Sequence, residues 1–119
     1  MRRMSYYRFH PTRPRDQKSV LLSKVERNER NHDKKYTATF RVKPHVRSEY
    51  VQRVPFGSWQ NTEYIVHKKK SERSRYRLRR PLPDKPNPMC PEVLEYYLLW
   101  GNSTDLKRNI VIFRRKFQL

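Results

Sequence analysis

Residues 36–43 read Tyr36-Thr37-Ala38-Thr39-Phe40-Arg41-Val42-Lys43. Tyr36, Ala38, Phe40 and Val42 alternate with Thr37, Thr39, Arg41 and Lys43. That is the period of a strand with one face in a core and the other toward water. Pro44 follows and ends the run, since proline offers no N–H to a sheet ladder. One strand needs partners. Downstream, residues 62–67 (TEYIVH) predict a second strand, and residues 109–113 (NIVIF) predict a buried one. Just before the second strand, residues 55–61 (PFGSWQN) predict a turn. Residues 45–54 stay open: Val46, Tyr50, Val51 and Val54 fit a helical face, but Pro44 and Pro55 bracket them closely.

Upstream, residues 19–33 (SVLLSKVERNERNHD) predict a helix. Ser19 suits its N-cap, Leu21, Leu22 and Val25 share a face, and Glu26 precedes Arg30 by one turn. Residues 91–100 (PEVLEYYLLW) predict another. Pro91 suits the first helical position and Gly101 the residue past the end, while Glu92 and Glu95 lie near the positive end of the dipole. This helix is apolar nearly all round, so it must be buried on most sides. The rest of the chain looks too poor in apolar residues to cover it. Leu94, Tyr97, Leu98, Leu99 and Trp100 are therefore read as a protein-docking surface.

The expected fold class is α+β. It is a small irregular unit of short helices and two to four short strands, with a long extended basic N-terminal arm and a Pro-rich connector. Residues 1–18 form the arm, 19–80 the small α+β unit, 81–91 the connector, and 91–119 the apolar helix with a C-terminal strand and basic tail. Pro11 and Pro14 forbid a continuous helix in the arm. The connector has five prolines in eleven residues and should be stiff.

Charge indicates the partner. The 119 residues include 29 Lys or Arg against 11 Asp or Glu, a formal net charge of +18. Such self-repulsion weakens a compact monomer and favours a polyanion. Leu, Ile, Val and Phe make up only 26 residues, so ordering is expected to depend on partners. No apolar run approaches the ~18 residues of a membrane span.

The basic residues concentrate in two tracts. Arg2, Arg3, Arg8, Arg13 and Arg15 lie in the arm. Eight of the thirteen residues from Lys68 to Arg80 are basic: Lys68, Lys69, Lys70, Arg73, Arg75, Arg77, Arg79 and Arg80. Arg73, Arg75, Arg77 and Arg79 alternate with Ser74, Tyr76 and Leu78. An extended backbone would make them a comb along phosphates. Arg114, Arg115 and Lys116 add a third basic group near the end. Tyr6, Tyr7 and Tyr76 lie among arginines and are candidate base-stacking residues.

No catalytic motif stands out. His10, His32, His45 and His67 are far apart, Cys90 is the single cysteine, and Gly57 and Gly101 are the only glycines. No metal site, phosphate loop or cofactor is expected. Cys90 precedes Pro91 and is read as a structural thiol at a helix N-cap.

Arginine outnumbers lysine, 18 to 11, and Ala38 is the one alanine. In composition and layout the chain resembles small lineage-specific mitochondrial ribosomal proteins. The resemblance implies a structural, non-enzymatic ribosomal constituent in the mitochondrial matrix, without a cleaved presequence in this chain. Its partners would be ribosomal RNA and neighbouring ribosomal proteins, with no small-molecule substrate. Two other readings compete: a peripheral accessory subunit of a respiratory membrane complex, and a small RNA-processing enzyme or its cofactor protein.

Overall fold

The computed structural model describes residues 7–9, 18–44, 47–60 and 62–119, with 7–9 and 18 placed through their backbone. The strand read from residues 36–43 is the centre of the fold. It forms β3 (Tyr36–Pro44), between β2 (Lys18–Arg27) and β4 (Tyr50–Phe56), in an antiparallel meander. The short β1 (Tyr7–Phe9) pairs with the outer edge of β2, Tyr7 opposite Val20 and Phe9 opposite Lys18. Four helical elements follow: α1 (Tyr64–His67), α2 (Lys70–Arg79), α3 (Pro91–Leu94), which continues as a π-helical turn over Glu95–Leu99, and α4 (Leu106–Phe117).

The alternation in β3 separates core from water in its second half, while Thr37 and Thr39 are buried on the other face. Ala38, Phe40 and Val42 are fully buried on the inner face, while Arg41 and Lys43 reach water. Val20 and Leu22 of β2 and Val54 and Phe56 of β4 complete that face. Val93, Leu94, Leu98, Leu99 and Trp100 belong to the same core, with Phe113 and Phe117 from α4. The fold is thus a sheet with helices on its inner face, a small α+β unit.

Four sequence expectations are overturned in their local structure. Residues 18–27 form a strand where residues 19–33 predict a helix. The register slips between Leu22 and Lys24, so Ser23 is an extra residue in β2. The bulge lets Val20, Leu22 and Val25 all point inward. Their spacing imitates a helical stripe. Residues 64–67 form a helical turn, not a strand. It is closed by Lys68 in the left-handed region (φ 60°), whose N–H donates to the carbonyl of Tyr64 at 2.8 Å. Residues 70–79 are helical, so the extended arginine comb does not exist.

Residues 109–113 lie within α4 rather than in a strand. Asp105 caps that helix by accepting from the N–H of Lys107 at 3.0 Å. Phe113 and Phe117, one turn apart, make its buried stripe. Local β-propensity in Asn109–Phe113 gives way to the cap and to this packing.

The helix signals at Pro91 and Gly101 are met: Pro91 opens α3 and Gly101 follows its last turn. The expectation that this helix lacks cover is corrected. Leu94 and Leu98 are fully buried and Leu99 is 1% exposed, within this chain's own core. The material comes from β3, β4 and α4. Asn109 fixes the loop beyond it: its amide donates to the carbonyls of Leu98 (3.0 Å) and Ser103 (2.8 Å) and accepts from the N–H of Ser103 (3.1 Å). Every polar atom of this buried side chain is thereby satisfied.

Candidate nucleic-acid interface

Basic residues become a binding surface only where their heads remain toward solvent. α2 divides its cations by the helical period. Tyr76 is its buried residue, and Arg73 and Arg77 flank it on the inner side. Arg77 donates to the carbonyl of Trp100 from Nε (3.3 Å) and Nη2 (3.0 Å), and to Asn102 Oδ1 (3.1 Å). Arg73 Nη1 donates to the carbonyls of Gly101 and Asn102, both at 3.3 Å. These two guanidinium groups close the carbonyl end of the α3 segment, where positive charge is favoured. They also lie over aromatic rings, Arg73 at 4.9 Å from Tyr64 and Arg77 at 5.1 Å from Tyr96.

Arg114 is engaged in a similar way. Its Nη2 donates to the carbonyls of Leu22 (3.0 Å) and Ser23 (3.4 Å), the two residues of the β2 bulge. Three predicted RNA contacts, Arg73, Arg77 and Arg114, are therefore occupied inside the fold.

The remaining cations of α2 and its flanks face outward. Lys68, Lys69, Lys70, Arg75, Arg79 and Arg80 are exposed. Arg75 meets Glu72 at 3.6 Å, a solvent-exposed pair of little energy. Arg115 and Lys116 are exposed on α4. Leu78, 83% exposed, shares the outer side of α2 with Arg75 and Arg79. Arg2, Arg3, Arg13, Arg15 and Tyr6 lie outside the described residues, and Arg8 and Tyr7 are placed by backbone alone in β1.

Tyr76 is corrected as a base-stacking residue. Its ring is stacked on Trp100 at 4.4 Å, with planes 4° apart, and it is 6% exposed. Burial, then the nearby Glu95 carboxylate, raises its phenol above the ordinary tyrosine range. The docking residues are corrected too: Leu94, Leu98, Leu99 and Trp100 are core, and Tyr97 is half-buried against Phe113 and Phe117.

One cation–aromatic group went unread in the sequence. Arg27, Arg30 and Lys35 place their charges 5.4, 5.2 and 6.0 Å from the centre of the Trp59 ring. Trp59 Nε1 donates to the carbonyl of His32 at 2.7 Å, tying the turn after β4 to the β2–β3 loop. Behind it Lys35 Nζ bonds both oxygens of buried Glu63, at 2.9 and 3.0 Å. The signal available was Trp59 within the turn 55–61. Its partners come from a loop about thirty residues earlier.

Cys90 sits at the N-cap of α3, as read. Its thiol donates to Glu92 Oε1 at 2.7 Å, and burial followed by that bond pushes its pKa up. The thiolate is thus disfavoured. Among the described residues no group of three or more His, Cys, Asp or Glu is placed to hold a metal ion. Among the same residues no helix is long and apolar enough to cross a membrane.

Comparisons with protein-family models, with curated proteins and with solved structures return no match.

Proposed function

We propose that this chain is an RNA-binding structural constituent of a ribonucleoprotein particle, most specifically of a mitochondrial ribosome. The observation that carries the reading is the division of cations on α2. Arg73 and Arg77 are spent on the chain's own carbonyls, while Lys68–Lys70, Arg75, Arg79 and Arg80 stay exposed without buried partners among the bonds described above. Exposed like charge costs stability, and a polyanion relieves that cost.

Contacts through these residues would position the chain on phosphates without reading sequence. Arg27 and Arg30, exposed beside the Trp59 ring, add further positive charge for phosphates. Neighbouring proteins would meet the outer surface, since the α3 segment is core. The testing experiment is isolation of the native particle under mild salt, followed by RNA sequencing of what accompanies the chain. Ribosomal RNA in stoichiometric amount supports the reading, and an RNA-free particle refutes it.

A further inference from the structure

α2 ends at Arg79, and the chain returns through the proline-rich stretch to Pro91. Between them lies a groove of about 540 Å³, within the roughly 300–1,000 Å³ range of small-ligand sites. Leu82, Pro81 and Pro83 give it apolar surface, and the buried Val93 and Tyr76 also line it. Pro81 and Pro83 stiffen the segment that lines it. The rim carries three cations, Arg79, Arg80 and Lys85, against one carboxylate, Glu92.

That carboxylate is held in a defined state. The Cys90 thiol bonds Oε1, and this bond first, with the charges of Arg80 and Lys34 assisting, lowers the Glu92 pKa below the usual carboxylate range. An ionised carboxylate only accepts, and it can receive two parallel N–H groups. Guanine offers that pair, N1–H and the N2 amine, on a flat ring that suits an apolar wall. A phosphate on the same nucleotide complements the cationic rim.

We infer that the groove between α2 and the 81–90 segment binds one unstacked guanosine nucleotide of an RNA strand. The base lies against Leu82 and Pro83, and Glu92 accepts from its N1 and N2 donors. Arg79, Arg80 and Lys85 take the phosphate. The inference rests on the RNA-binding reading above and names its nucleotide. An acidic peptide would satisfy the rim, but it would leave both the apolar wall and the Glu92 acceptor unused.

The test is methyl NMR of the full chain, following Leu82 and Val93 during titration with GMP, IMP and UMP, and separately with a Glu-rich hexapeptide. Salt-dependent binding of a single-stranded RNA 12-mer is measured in parallel. GMP should shift both methyl groups saturably, and IMP, lacking the N2 amine, should bind roughly five- to tenfold more weakly. Glu92→Gln, an exposed substitution that leaves the core intact, should abolish the GMP-over-IMP preference. Leu82→Trp should fill the groove and remove GMP binding while the 12-mer still binds with its salt dependence retained. Binding of the 12-mer without any saturable shift from a mononucleotide overturns the guanosine site and leaves the RNA reading standing. Saturation by the acidic peptide alone overturns it in favour of a protein ligand. Failure of the 12-mer to bind overturns both.

Discussion

Arg77 donates to the carbonyl oxygen of Trp100 from two nitrogens, Nε at 3.3 Å and Nη2 at 3.0 Å. A residue from the most basic tract of the sequence thus serves as the cap of the most apolar one. The pairing joins α2 to the helix at the centre of the core, and it takes Arg77 out of the set available to an outside anion.

Arg77→Ala should therefore lower stability by about 1–3 kcal/mol, the range for charge-assisted hydrogen bonds left with an unsatisfied partner. Arg77→Lys should recover little, because an ammonium cannot reproduce the forked contact. Urea denaturation followed by circular dichroism checks both. An Arg77→Ala protein as stable as the parent would show that the cap carries no energy.

Gly101 is required by close approach. A Cβ there would collide with the carbonyl oxygen of Tyr97 and come within 2.9 Å of Asn109 Oδ1. Neither can give way, because Tyr97 O is backbone and Asn109 is held by three hydrogen bonds. Gly101→Ala should destabilise by more than about 2 kcal/mol, and Asn109→Ala by about 1–3 kcal/mol. Thermal melts of the two variants and the double variant should show non-additive losses, since both act on one loop.

The parent chain should melt cooperatively without partners. Low apolar content predicts the opposite, but the core closes on itself: Phe40, Phe56, Phe113, Leu94 and Leu98 are fully buried. Leu98→Ala should cost about 2–5 kcal/mol, a core loss and not a docking loss. Calorimetry of the pure chain checks this, and a broad transition without a heat-capacity peak would contradict it.

The α+β class, β3 and the helix opening at Pro91 were legible, and the misses have physical causes. β3 was readable because Ala38, Phe40 and Val42 are buried on one face while Arg41 and Lys43 of the other reach water, although Thr37 and Thr39 are buried as well. β2 was misread because the bulge at Ser23 converts a two-residue period into the spacing Val20, Leu22, Val25. The comb at Arg73–Arg79 had the period of a strand by coincidence. What fixes α2 as a helix is the engagement of Arg73, Tyr76 and Arg77 with residues 100–102, contacts more than twenty positions away. In α4 the legible signal was Asp105 with Phe113 and Phe117 at helical spacing, outweighed by the β-branched run Ile110-Val111-Ile112. Which cations stay free for a ligand is a tertiary fact, so the sequence marked the tract but could not sort it.

Alkaline stability should reflect the buried phenols. Tyr36, Tyr76 and Tyr97 all have pKa values raised above the usual tyrosine value, chiefly by burial. A raised folded pKa means that stability is complete below about pH 10 and is lost as pH rises through the folded values, because the unfolded chain ionises first. Melting temperature should hold between pH 7 and 9 and fall beyond pH 10. Tyr76→Phe should be less stable at pH 8 and show a shallower alkaline decline. An equally steep decline in that variant would assign the loss to other groups.

The central claim is that the outward cations of α2 and its flank, and not the inward ones, contact RNA. Its most direct measurement is the salt dependence of binding to a single-stranded RNA for the parent and for a Lys68→Ala, Lys69→Ala, Lys70→Ala, Arg75→Ala, Arg79→Ala variant. Each phosphate contact contributes a log–log slope of about −0.7 to −0.9. The account predicts a steep slope for the parent, a loss of roughly two to four units in the five-site variant, and an unchanged slope for Arg77→Ala in the salt range where it stays folded. A five-site variant that binds with the parental slope would contradict it.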